Sequence, residues 1–147
     1  MGLAGLRCLF SVLTGVLAFA FAGVAGAQSA DGSALRGMAD YQAHCLQCHG
    51  AKGKGDGRIM DIQNRRLPDL SRLSQRNKGV FPAGRVMEII DGTGVIVIHG
   101  TKGMPVWGKT MREEAAAQCK ASGCSADAIV RERLRALADY LALLQEK

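Results

Sequence analysis

At 147 residues, 48% of them hydrophobic, the chain has material for one packed domain and too little for two. Its net charge of +6 is a mild basic excess with no arginine-rich stripe interleaved with aromatics, which argues against nucleic acid as a partner and suits an acidic protein surface.

Residues 1–27 read as a signal peptide. Arg7 precedes the apolar run 8–24, and Ala25, Gly26 and Ala27 supply the small residues of a cleavage site. The alternative is an uncleaved amino-terminal anchor, because the run is near the lower limit for a bilayer span. Arg7 ahead of Cys8 does not fit a lipoprotein cleavage box. Cleavage leaves residues 28–147 as the domain, with net charge +5 (18 Lys and Arg against 13 Asp and Glu). Export places it in an oxidising compartment, the periplasm of a bacterium.

Residues 34–48 have a helical pattern, with Gly37, Tyr41 and Cys45 four apart on one face and Asp31 or Ser33 as the expected cap. Glycine is costly inside a helix, so Gly37 predicts close approach by another backbone. The helix ends in Cys45-Leu46-Gln47-Cys48-His49, the C-x-x-C-H pattern of c-type haem attachment. Two cysteines one turn apart form thioethers to the two vinyl groups of a porphyrin, and the adjacent imidazole reaches the iron. A zinc site would need a second ligand pair nearby, but Cys119 and Cys124 lie about seventy residues further on. A thioredoxin-like pair would need a βαβ pattern, which the chain lacks.

Residues 50–57 hold four glycines and cannot make a regular element; the glycines would let backbone run close to a flat ligand. They resemble a phosphate loop only superficially, since no strand precedes them and the Gly-Lys-Ser/Thr ending is missing. Pro68 is the candidate carbonyl to receive the second ring nitrogen of His49, its alternative role being a simple turn. Pro82 opens a short helix carrying Val86, Ile89 and Ile90 and ending at Gly92. Val95, Ile96, Val97 and Ile98 form a β-branched run, read as a short strand or extended loop.

Met104 sits among Gly103, Pro105 and Gly108, residues that hold a loop in one shape, and is the expected sixth ligand to iron. His99 is the rival, and would give bis-imidazole ligation. Met38, Met60, Met87 and Met111 are expected to pack in the core. Thr110 and Glu113 make a T-x-x-E capping box, predicting an extra helix over residues 110–124 that Gly123 stops. Cys119 and Cys124 are the expected disulfide at its end, with free thiols as the alternative. Ser125 caps a last helix in which Val130, Leu134, Leu137, Leu141 and Leu144 recur at helical spacing. That face should pack on the first helix, with Tyr140 near Gly37.

Gly37, Tyr41 and the Cys45-Cys48-His49 motif, then Pro68-Asp69-Leu70, Met104-Pro105, and a last helix with Leu137 and Tyr140 resemble the class I cytochromes c of bacteria. The resemblance implies a small all-α cytochrome c fold, its first and last helices crossing and its loops wrapped around one covalent haem c. It also implies that His49 and Met104 ligate iron, that the Pro68 carbonyl receives the His49 proton, and that Leu70 packs on the porphyrin. The segment 110–124 departs from the pattern as an apparent insertion beside the partner surface.

Iron with both axial positions filled has no place for substrate, so electron carriage is expected rather than catalysis. The carrier would move single electrons in the periplasm between a dehydrogenase or quinol-oxidising complex and an oxidase or reductase. Redox proteins with acidic docking surfaces are the expected partners, steered by Lys52, Lys54, Lys102 and Lys109. The membrane is met only through partner complexes or an uncleaved signal. The alternatives are a cytochrome subunit held in a larger redox enzyme, and a haem sensor or peroxidase in which Met104 dissociates.

Overall fold

Apolar residues three and four apart, on helices whose crossing point is free of bulk, decide how this chain packs. The computed structural model describes residues 30–59, 67–94 and 104–147. The expected signal segment 1–27, Met60, the run 95–98, His99 and Lys102 lie outside the described residues. The described residues form α1 (Ala30–His44), α2 (Leu46–His49), a 3-10 turn (Leu70–Arg72), α3 (Leu73–Arg76), α4 (Ala83–Asp91), α5 (Trp107–Ser122) and α6 (Ala126–Leu143). No strand occurs among them, and the class is all-α as expected.

The α6 stripe of Val130, Leu134, Leu137 and Leu141 is buried, and Ser125 caps the helix by accepting the Ala128 amide at 3.3 Å. α1 crosses α6 at Gly37. A Cβ there would overlap the carbonyl of Ala136, so only glycine lets the two backbones meet. One turn on, Tyr41 is 1% exposed and packs on Tyr140, with ring centroids 5.2 Å apart and a 55° tilt. Arg133 braces the same crossing: its guanidinium donates to both carboxylate oxygens of Asp40 in α1 (2.7 and 3.0 Å) and to Glu114 in α5 (2.7 Å).

α4 and α5 complete the core. Val86 and Ile90 of α4, and Met111 and Ala115 of α5, turn inward, the last two at 0% exposure. Met111 is thus core, as expected, and Met87 packs against the same cluster; Met38 is only half-buried at the surface of α1. α4 lies between Pro82 at its N-cap and the left-handed Gly92 at its C-cap, the expected limits.

Two helix starts differ from expectation. α1 begins at Ala30, ahead of both expected caps; Ser33 lies inside the helix and its hydroxyl donates to Asp139 of α6 at 2.7 Å. α5 begins at Trp107 and not at Thr110, with Val106 as an N-cap that makes no side-chain bond. Thr110 and Glu113 therefore sit within the helix, because contacts of Trp107 and Gly108 with the rest of the fold outweigh a local capping signal. Gly123 does end α5, at φ 67°. The Cα atoms of Cys119 and Cys124 are 4.8 Å apart with their sulfurs facing each other, a separation suited to a disulfide.

Candidate haem-attachment site

Helical hydrogen bonding carries on past the end of α1. The Cys45 amide donates to Tyr41 at 2.8 Å, and the carbonyl of Cys45 receives the amides of Cys48 (3.1 Å) and His49 (2.8 Å). Cys45 leaves ideal helix geometry at φ −113°, a bend at the motif's first residue. Cys45, Cys48 and His49 therefore occupy a single turn, and neither cysteine is bonded elsewhere. Cys45 is buried and remains a thiol: burial, then the neighbouring Asp40 and Cys48, pushes its pKa up to about 12.

The glycine-rich loop folds back over this turn. Gly55 and Gly57 donate their amides to the carbonyls of His49 (2.9 Å) and Cys48 (3.2 Å), and Ile59 donates to Gln47 (3.0 Å). A Cβ at Gly57 would collide with the Cys48 backbone. Gly55 and Gly57 thus let backbone meet backbone on the motif's own turn. On its other side the loop meets the 67–70 segment, where Gly53 accepts the Leu70 amide at 2.6 Å.

Burial lowers the pKa of His49, and the carbonyl of Pro68 is the backbone group that opposes it. Nδ1 of His49 is fully buried and has no partner within hydrogen-bonding geometry. Pro68 thus stands beside the ring nitrogen without completing the bond. Leu70 is half-buried against the core, and Asp69 shapes its turn by accepting both the amide (2.9 Å) and hydroxyl (2.6 Å) of Ser71. That hydrogen bonding holds the Asp69 carboxyl below its ordinary range.

The sequence carried no signal for what holds this segment in place. The chain's last residues clamp it: Gln145 donates to the carbonyls of Leu70 and Leu141 (both 2.8 Å) and accepts the Ser74 amide (2.8 Å), while the Glu146 amide reaches Ser71 (2.8 Å). Glu146 also pairs with Lys54 at 2.5 Å. Lys54 is accordingly an engaged cation, and Lys109 stands 3.9 Å from Glu113; Lys52 is exposed.

Met104 is half-buried and packs against the core cluster. Three residues later, Trp107 packs on His44, the residue just before Cys45, with ring centroids 4.9 Å apart and a 45° tilt. The Met104 segment is thereby brought to the helix end that bears the cysteine motif. His44 escaped the sequence reading because it lies outside the pentapeptide.

These residues suit a covalent haem: two unbonded cysteines and an imidazole on one turn, a buried ring nitrogen next to a backbone carbonyl, and a thioether packed on the same core. Among the described residues, no three His, Cys, Asp or Glu side chains converge to hold a bare metal ion.

A family model described as cytochrome c oxidase, cbb3-type, subunit III matches residues 32–121. The chain belongs to that family. No curated protein matches it, and neither does any solved structure. It is therefore a cytochrome c domain of the class I type, an electron-carrying haem protein whose family binds haem c covalently. The match stops short of α6, yet α6 supplies the crossing partner of α1. No helix of the described residues is long and apolar enough to cross a membrane.

Proposed function

We propose that this cytochrome c domain binds one haem and works as an exported carrier of single electrons. Cys45 and Cys48 form the thioethers, and His49 and Met104 are the axial ligands. Pro68 receives the Nδ1 proton of His49, orienting the imidazole and raising its basicity, and Leu70 packs on the porphyrin. Bound haem supplies a one-electron iron couple, which a nitrogen and a thioether ligand together accommodate in both oxidation states. The observation that carries this reading is His49 Nδ1, buried beside Pro68 and otherwise unsatisfied. A buried polar atom without a partner is costly, and fixing the imidazole on iron gives that nitrogen a reason to face a carbonyl.

The decisive experiment is a spectrum of the protein purified from a cell that attaches haem c. We expect a covalent haem that thiols do not release, with a weak band at the red edge that Met104→Ala abolishes and His99→Ala preserves. A colourless product would overturn the attachment, and a band surviving Met104→Ala would overturn the ligand assignment.

We further propose that the domain is periplasmic after loss of residues 1–27, that Cys119 and Cys124 form a disulfide there, and that its partners are redox proteins with acidic docking surfaces. With Lys54 paired to Glu146, steering falls chiefly to Lys52 and Lys109 among the described members of the expected set. The rate with a physiological partner should fall as salt rises; a flat profile would remove steering. The family's description as an oxidase subunit favours a second reading, a domain permanently held in a larger enzyme. Co-purification at fixed stoichiometry would select that reading over a free shuttle.

A further inference from the structure

Besides the packing of Met104 on the core cluster, its segment touches the fold at three places. Val106 packs so closely on Gly92 that a Cβ there would strike its methyl groups, and Gly108 lies against the backbone of Asp91. Arg112 reinforces the second place, donating to Asp91 at 2.7 Å. Both tie the segment to the end of α4, and neither determines its position relative to the cysteine motif. The third place does: the indole of Trp107 on the imidazole of His44. His44 is bonded to Cys45, and Trp107 is three residues from Met104.

We propose that Trp107 and His44 are positioning residues for the sixth ligand, their packed rings carrying the placement of the anchor helix into the loop that bears Met104. The proposal rests on Met104 being that ligand. The core holds α5 from Gly108 onward through Met111 and Ala115, so the ring contact bears on the residues just ahead of the helix. Removing either ring loosens residues 104–106 ahead of α5, raising the population in which the thioether has left its place. An aromatic ring at 44 is what this tilted contact requires, so phenylalanine should serve there and alanine should not. No other tryptophan is present in the chain, so Trp107 also reports on its own surroundings.

The test uses the haem-loaded protein, following carbon monoxide binding to the reduced form, the red-edge band and Trp107 near-ultraviolet circular dichroism. Trp107→Ala and His44→Ala should each speed carbon monoxide binding by about threefold to tenfold, the population shift expected from losing one aromatic contact. The double variant should do no more than the stronger single one, and His44→Phe and Trp107→Phe should restore the slow rate. His44→Ala should also alter the Trp107 dichroism. Ser125→Ala, which weakens the cap of α6 beyond the far end of α5, about 24 Å along that helix, should leave the rate unchanged. Unchanged rates in both alanine variants, or an equal rise in Ser125→Ala, would overturn the proposal. Loss of the band in Met104→Ala with wild-type rates in Trp107→Ala and His44→Ala overturns the positioning role alone; survival of the band in Met104→Ala overturns the ligand assignment beneath it.

Discussion

The amide plane of Ala136 in α6 lies where a side chain of residue 37 in α1 would begin. Gly37→Ala would gain roughly 1 kcal/mol in helix propensity at an open position. Here the obstacle is backbone, which cannot rotate aside, so the helices must separate. We expect Gly37→Ala to destabilise the domain by about 1–3 kcal/mol, with Gly37→Val worse. Thermal unfolding followed by circular dichroism checks this; an unchanged or raised midpoint for Gly37→Ala would refute the close crossing.

Tyr41 links that crossing to the cysteine motif. Its buried hydroxyl donates to the carbonyl of Gly50 at 2.6 Å, and burial, followed by the nearby Cys45, Tyr140 and Asp56, raises its pKa above the ordinary 10.0. A phenol with a raised folded-state pKa favours the fold below pH about 10, and that contribution is lost as pH climbs beyond it. Tyr41→Phe should cost about 1–2 kcal/mol at neutral pH and flatten the alkaline loss of stability. Denaturant titrations at pH 7 and above pH 10 measure both effects.

Arg133 ties three helices together through Asp40 and Glu114, with the Arg133 and Asp40 side chains only 20% and 17% exposed. Hydrogen bonds to Asp40 and then to Glu114 raise the guanidinium pKa against its partial burial. Arg133→Ala leaves Asp40 half-enclosed and unpaired, and should cost about 2–4 kcal/mol. Arg133→Lys should recover only part of this, because an ammonium cannot meet both oxygens of Asp40 in the same fork. Stability equal to wild type in the lysine variant would show that charge alone suffices.

Closing the short loop between Cys119 and Cys124 should stabilise the domain by about 2 kcal/mol. A thiol reductant, or Cys119→Ser with Cys124→Ser, should lower the unfolding midpoint and leave the haem spectrum unchanged. If reductant has no effect on the midpoint of exported protein, the two cysteines are not bonded there.

Much of this molecule is readable from local pattern. The α6 stripe, its Ser125 cap and the Gly92 and Gly123 stops are properties of neighbouring residues, and the helix energies they set do not depend on what packs where. The pentapeptide is also local: its chemistry needs two cysteines and an imidazole on one turn, which sequence spacing alone provides. Gly37 was legible for a related reason, since a costly residue in a helix implies a neighbour that compensates for it.

Tertiary contacts decided the remainder. A sequence motif at Thr110 and Glu113 promised a helix start that packing of Trp107 and Gly108 moved three residues earlier. The glycines at 55 and 57, the grip of Gln145 and Glu146 on the 70–74 segment, and the packing of Trp107 on His44 each join residues distant in the chain or opposed across a fold-back. Local propensity has no knowledge of such partners, because their energy exists only once α1 and α6 have crossed and the intervening loops have been closed against them. The sequence by itself determined the chemistry on the motif's turn and the helices that carry it; the tertiary structure decided what surrounds that turn and what holds the Met104 loop beside it.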